Sequence, residues 1–187
     1  MGRALTHEPE TRMTREEYRA WAKRQPSCRF ERIAGVVVAM APERAAHNLR
    51  KGSARDALRR AVQEANLPCQ VFTDGMTIEA GESDYEPDAV LRCGERLPGD
   101  AIVIPDPLVI VEVLSPTTSG MDRGVKLRDY FTVHSVQHYL IVWAETSRIV
   151  RHSRLPEGGI ATEVFTAGEL RLDPPGIILA VEDFYAD

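Results

Sequence analysis

The sequence predicts an α/β fold of the α+β kind, a mixed central β-sheet flanked by helices with additional hairpins. Three observations carry that prediction. Strand-like apolar runs alternate with amphipathic helical stretches along the chain. The run from Pro107 to Leu114, rich in Val, Ile and Leu, reads as a central strand covered on both faces. The chain has 187 residues, 43% hydrophobic and 27% charged, which suits one compact domain with a real core. We expect a frayed leader over residues 1–12 and a single domain over 13–187, since Met1–Pro9 has no apolar signal core.

In chain order, Thr14 and Glu17 have the spacing of a capping box. The helix they open, about Arg15 to Arg24, puts Tyr18, Trp21 and Ala22 on one side and stops at Pro26. Arg29–Ile33 and Val36–Met40 read as two strands joined at Ala34-Gly35, where the glycine can take positive φ. Pro42-Glu43 opens a long helix to about Asn66, with an apolar stripe that includes Ala46, Leu49, Ala54, Leu58, Ala61 and Val62. Gly52 weakens its middle by about 1 kcal/mol relative to alanine. Gln70–Ala80 reads as strands bent at Asp74-Gly75, and Glu86–Cys93 as another strand. After a loop from Arg96 to Pro105 and the strand ending at Leu114, Ser115-Pro116 breaks the chain. A helix over Asp122–Val133 follows, then strands at His138–Trp143, Arg148–His152 and Ile160–Thr166, and a Pro-interrupted edge at Leu170–Leu179. No internal repeat or low-complexity tract is visible.

Composition excludes several classes. No apolar stretch approaches the roughly 20 residues of a membrane helix. Cys28, Cys69 and Cys93 are odd in number and lack metal-ligand spacing, so they read as reduced thiols of a cytoplasmic protein. The net charge of −5 argues against a protein that coats nucleic acid. Its distribution is uneven, however. Between Glu43 and Asn66 the bases Arg44, Arg50, Lys51, Arg55, Arg59 and Arg60 outnumber the acids, and Arg123, Lys126 and Arg128 form a second cluster. Such clusters are either solvated helix faces or a track for phosphates, in which Arg50, Arg55 and Arg59 on the long helix could guide a backbone.

Glu112 is the one charge in the central apolar run. A lone ionised carboxylate buried there costs several kcal/mol, so it must be protonated, paired or bound to a cation. It shares its strand face with Ile110 and Leu114, while Val109, Val111 and Val113 point the other way. Upstream, alternation would place Asp84, Glu86 and Asp88 on one face. Asp84 and Glu86 read as solvated, whereas Asp88 precedes the apolar Ala89-Val-Leu91 and reads as a metal ligand. Lys126 lies on the helix after the Glu112 strand and can return to its end, with Tyr130 one turn further on the same face. Two strand-borne acids and one lysine are the minimum parts of a metal-dependent phosphodiester-cleaving site. Mg²⁺ needs one or two carboxylates and keeps several waters, and a lysine adds positive charge where negative charge grows. The plain alternatives are a buried Glu112–Lys126 ion pair and an ordinary surface lysine. Glu31 could act through water or on a second metal, and His47 could contact phosphate or shuttle a proton. Surface and packing roles are the common fate of both residue types. No nucleophile arrangement and no Walker-type phosphate loop appears.

The order of these motifs resembles a large prokaryotic restriction endonuclease family within the PD-(D/E)XK nuclease superfamily. The matching pieces are Met13–Tyr18, Phe30-Glu31 with Gly35, His47-Asn48, Pro87-Asp88, Val111–Thr117, and Asp122–Lys126 with Tyr130. The resemblance implies a restriction-endonuclease-like core in which Asp88, Glu112 and the Val113 carbonyl hold Mg²⁺, with Mn²⁺ as a substitute. The usual lysine position two residues after the glutamate is Leu114 here, so the resemblance points to Lys126 instead. It also matches Glu31 and His47 to family positions and implies a homodimer. Ala34 departs from the aspartate common before the glycine. The expectation is therefore a metal-dependent nuclease acting on DNA. The alternatives are a nuclease fold kept as a module that binds nucleic acid or a protein partner without turnover, and an interaction protein with a structural Glu112–Lys126 pair.

Overall fold

The apolar run that carries Glu112 is the axis of the fold. A computed structural model of the chain describes residues 12–25, 28–114 and 123–186. Residues 1–11 of the leader, the stop at Pro26, the break at Ser115-Pro116, the last residues of the Val111–Thr117 motif and the start of the third helix at Asp122 lie outside the described residues.

Six strands form the main sheet in the order β10 (Ile160–Phe165), β9 (Ile149–Arg154), β8 (His138–Trp143), β7 (Val109–Leu114), β6 (Ala89–Cys93) and β3 (Cys69–Thr73). Only β7 and β8 pair in parallel; the other neighbours are antiparallel, so the sheet is mixed as the sequence predicts. A parallel pair needs a crossover, and α3 (Arg123–Tyr130) lies in the segment that joins β7 to β8. A second, antiparallel sheet has the order β2 (Val36–Ala39), β1 (Phe30–Ile33), β5 (Ser83–Tyr85) and β4 (Ile78–Ala80).

Strand alternation splits the core in two. Val109, Val111 and Val113 face α2 (Ala45–Glu64), where Ala54, Ala57, Leu58, Ala61 and Val62 pack against them. Ile110 and Leu114 face the other way, among Ile78 and Tyr85 of the small sheet and Tyr130 of α3. Glu112 is therefore aimed at the junction of both sheets with α3.

Local chemistry explains the short elements. The capping box of α1 (Arg15–Ala22) forms, with the Thr14 amide donating to Glu17 at 2.8 Å and the Glu17 amide to the Thr14 hydroxyl at 3.2 Å. The β1–β2 turn is the expected one: Ala34 and Gly35 have φ of 48° and 84°. Alanine resists that conformation, and the turn is held by its amides, which donate to the Ser83 hydroxyl and the Glu82 carbonyl at 3.0 Å each.

The structure corrects four expectations. Glu86–Cys93 is not one strand: the chain leaves β5 at Tyr85 and enters β6 at Ala89, so Asp84, Glu86 and Asp88 share no strand face. Asp84 is not solvated but 2% exposed, gripped by Arg32 at 2.5 Å and Arg15 at 2.7 Å. The Pro-interrupted edge is a separate antiparallel hairpin of β11 (Glu169–Leu172) and β12 (Ile177–Ala180), followed by a 3₁₀ turn at Val181–Phe184. Cys69 and Cys93 are not reduced thiols but a disulfide, because the β3–β6 register sets them directly opposite. Cys28 is exposed. The expected cytoplasmic location rested partly on reduced cysteines and loses that support. No helix among the described residues is long and apolar enough to cross a membrane.

Candidate active site

Glu112 is 8% exposed near the end of β7, and α3 reaches back over it. Its Oε1 accepts from the Tyr130 hydroxyl at 2.7 Å and from Lys126 Nζ at 3.0 Å. Lys126 and Tyr130 lie four residues apart, on one face of α3, which is why both reach the same oxygen. Lys126 Nζ also donates to Glu31 Oε1 at 3.1 Å, from β1 of the small sheet. Glu31 in turn accepts the Glu86 amide at 3.1 Å, which fixes the chain just before Asp88.

Asp88 sits at the head of β6, next to β7 in the sheet. Its own amide donates to the Val111 carbonyl at 3.1 Å, and its Oδ2 accepts the Val113 amide at 2.6 Å. Its Oδ1 lies 3.0 Å from Lys51 Nζ, and His47 Nε2 lies 3.6 Å from Oδ2. Lys51 also reaches Glu43 Oε1 at 2.5 Å and Asp74 Oδ2 at 2.7 Å. His47 and Lys51, four residues apart in the first two turns of α2, face Asp88, and Glu43 joins them from just before the Arg44 N-cap.

Part of this network lines a cleft of about 350 Å³. Glu31, Glu43, His47, Asp88, Glu112 and Lys126 supply its polar wall, and Val38, Met40 and Pro42 part of an apolar one.

The two central carboxylates are shifted in opposite directions. Burial pushes the Glu112 carboxyl up to about 7; Asp88 and Glu31 add to that, while Lys126 and the Tyr130 hydroxyl hold it down. Burial acts the same way on Asp88, but His47, Lys51 and the Val113 amide outweigh it and lower its pKa. Burial also opposes the Lys51 charge, and Asp88, Asp74 and Glu43 overcome it, so the ammonium is held well above its ordinary range. Burial, then Glu112 and Glu31, raises Tyr130, which stays a donor. Two buried carboxylates facing one cleft offer hard oxygen ligands, and a hard dication fits that donor set. Val113 lines the same cleft.

The structure thus brings together Asp88, Glu112, Lys126, Glu31 and His47. It does not bring Arg50, whose guanidinium donates to the Phe184 carbonyl at 2.7 Å and the Ala144 carbonyl at 3.3 Å and stacks on Tyr185. Arg55 follows Lys51 by one turn and pairs with Asp56; Arg59 is exposed beside the Cys69 region. Sequence reasoning missed Lys51 and Glu43. The four-residue spacing with His47 could have flagged them, but their partners Asp74 and Asp88 come from distant segments. Glu43, His47 and Asp88 each offer a ligand atom, all within 4.8 Å of one another.

A sequence profile of the Uma2 family, described as putative restriction endonucleases, matches residues 15–182. The "Uncharacterized protein slr1290" of a Synechocystis species is 28% identical over 196 residues, covering 97% of each chain. In structure, the chain is similar to a putative nuclease belonging to DUF820 from Anabaena variabilis. That comparison has a TM-score of 0.70 and 16% identity, covering 92% of this chain and 97% of the other. At that identity the likeness shows the fold.

Proposed function

The chain belongs to the Uma2 family of putative restriction endonucleases, and from that premise we propose that it is a Mg²⁺-dependent endonuclease hydrolysing phosphodiester bonds in DNA, with Mn²⁺ able to substitute. One observation carries the reading: Asp88, Glu112, Lys126 and Glu31, from four separate elements, converge on one cleft.

Asp88 and Glu112, with the Val113 carbonyl, would hold the cation. When bound, that ion polarises the scissile phosphate and lowers the pKa of a coordinated water. The chain's own residues do the rest. The Val113 amide and Lys51 keep Asp88 ionised and fixed. Tyr130 orients Glu112, and Glu31 orients Lys126. Lys126 places an ammonium where negative charge grows on the phosphate, or passes a proton from the attacking water toward Glu31. Arg55 and Arg59 would steer the backbone at low salt.

The module without turnover has one observation in its favour. Of the described residues that line the cleft, Arg44 is the one exposed arginine, which is little positive charge for a duplex. Incubation of the purified chain with plasmid DNA and Mg²⁺ tests the proposal. Cleavage that disappears in Glu112→Ala is expected; no cleavage of DNA or RNA with Mg²⁺ or Mn²⁺ sinks it.

A further inference from the structure

We propose that Glu43, His47 and Asp88 form a second divalent-cation site, one whose imidazole makes it prefer a transition-metal dication over Mg²⁺. The inference deepens the nuclease reading, because Asp88 would serve both ions as a bridging carboxylate.

Geometry supplies the first argument. Glu43 lies just before the N-cap of α2 and His47 in its first turn, and Asp88 meets them from the head of β6. Their ligand atoms lie within 4.8 Å of one another. Metal bonds to imidazole nitrogen and carboxylate oxygen run about 2.0–2.2 Å, so ligands on opposite sides of an ion stand roughly 4 Å apart. A small adjustment of side chains closes the shell.

Charge supplies the second. The linked carboxylates Glu43, Asp74, Glu86 and Asp88 are matched by the cations Arg29 and Lys51, leaving two negative charges in excess, the charge of one dication. Lys51 Nζ already stands between Glu43 and Asp88, so this corner draws positive charge. His47 is the third argument. Its Nε2 faces Asp88 Oδ2 at 3.6 Å, beyond direct hydrogen-bond reach. The imidazole therefore offers a ring nitrogen to an ion at this corner. Nitrogen donors favour Zn²⁺, Co²⁺ and Mn²⁺ over Mg²⁺, which keeps to oxygen.

Mn²⁺ titrated into the full-length chain and followed by electron paramagnetic resonance should reveal two bound ions, one coupled to a histidine nitrogen. His47→Ala should abolish that coupling and weaken one ion by more than about tenfold while the other stays. Excess Mg²⁺ should displace only the ion without nitrogen coupling. A single bound Mn²⁺, none at all, or nitrogen coupling that survives His47→Ala overturns the proposal. The coupling is read on the unaltered protein, so a variant that fails to fold does not blunt the test. Plasmid cleavage on the same preparation keeps the two readings apart. Cleavage without nitrogen coupling removes the second site alone; coupling without cleavage keeps the site and removes the nuclease.

Discussion

Asp88 Oδ2 accepts the Val113 amide at 2.6 Å, which ties the carboxylate at the head of β6 to the strand that carries Glu112. The bond crosses from one strand to its neighbour, so the separation of the two acids is set by sheet register and not by flexible side chains. Asp88→Asn keeps an oxygen for the Val113 amide and removes the charge. We expect Mg²⁺ affinity to fall by about 10–100-fold and cleavage by at least about 100-fold, measured by calorimetry and by plasmid nicking. Near-normal cleavage would take Asp88 out of the site.

Lys126 is shared between Glu112 and Glu31 in a buried setting. Lys126→Met should therefore cost both activity and stability, about 3–5 kcal/mol of the latter, because two acids lose their counter-charge. Adding Glu112→Gln should restore much of the stability and none of the cleavage. Denaturant melts and cleavage assays on both variants separate the roles. If the double variant recovers activity, the pair is structural.

The raised Glu112 pKa has a definite sign. A folded-state value of about 7 against an ordinary 4.5 means that, between those two pH values, the native protein holds a proton which the unfolded chain has released. This group's contribution to stability is full below about 4.5 and is lost as pH rises through about 7. Asp88 is lowered, so its contribution is present above 3.8 and is lost as pH falls through its depressed value. Cation binding requires ionised Glu112, so Mg²⁺ affinity should climb about tenfold per pH unit up to pH 7 and then level. Calorimetric titrations from pH 5 to 8 check this; a flat profile assigns Glu112 another role.

Two arginines of α2 predict opposite phenotypes. Arg50 ties the helix to the Ala144 and Phe184 carbonyls, so Arg50→Ala should lower stability by about 2 kcal/mol and leave DNA affinity unchanged. Arg59 is exposed, and Arg59→Glu should leave the melting temperature unchanged and reduce the salt dependence of DNA binding by about one phosphate contact. If Arg59→Glu binds DNA like the parent, this face does not carry the backbone.

What the sequence made legible was what local pattern controls. Glu112 stood out because one acid interrupted a two-faced apolar strand, and Lys126 because a helix following that strand must return over its end. The shared face of Asp84, Glu86 and Asp88 was misread because alternation assumes an unbroken strand, and Asp84 was misread as solvated because its partners Arg15 and Arg32 come from distant segments. Lys51 looked like one cation among many; only tertiary folding puts Asp74 and Asp88 beside it. Arg50 failed for the same reason, since its acceptors lie 94 and 134 residues away.

The Cys69–Cys93 disulfide was equally hidden, because it depends on the register of β3 against β6. It closes a sequence separation of 24 residues at one end of that pair, and Asp88 lies at the opposite end of β6. Loop-closure entropy gives such a crosslink about 3 kcal/mol of stability. Cys69→Ser with Cys93→Ser, or reduction with dithiothreitol, should therefore shift the denaturant midpoint downward by a corresponding amount. Below the melting transition, cleavage should remain, because Asp88 is held against β7 by its bonds to the Val111 carbonyl and the Val113 amide, which the crosslink does not supply. Denaturant melts with and without reductant, paired with cleavage at 25 °C, check both halves. Loss of cleavage in a folded, reduced protein would show that the crosslink sets the position of Asp88.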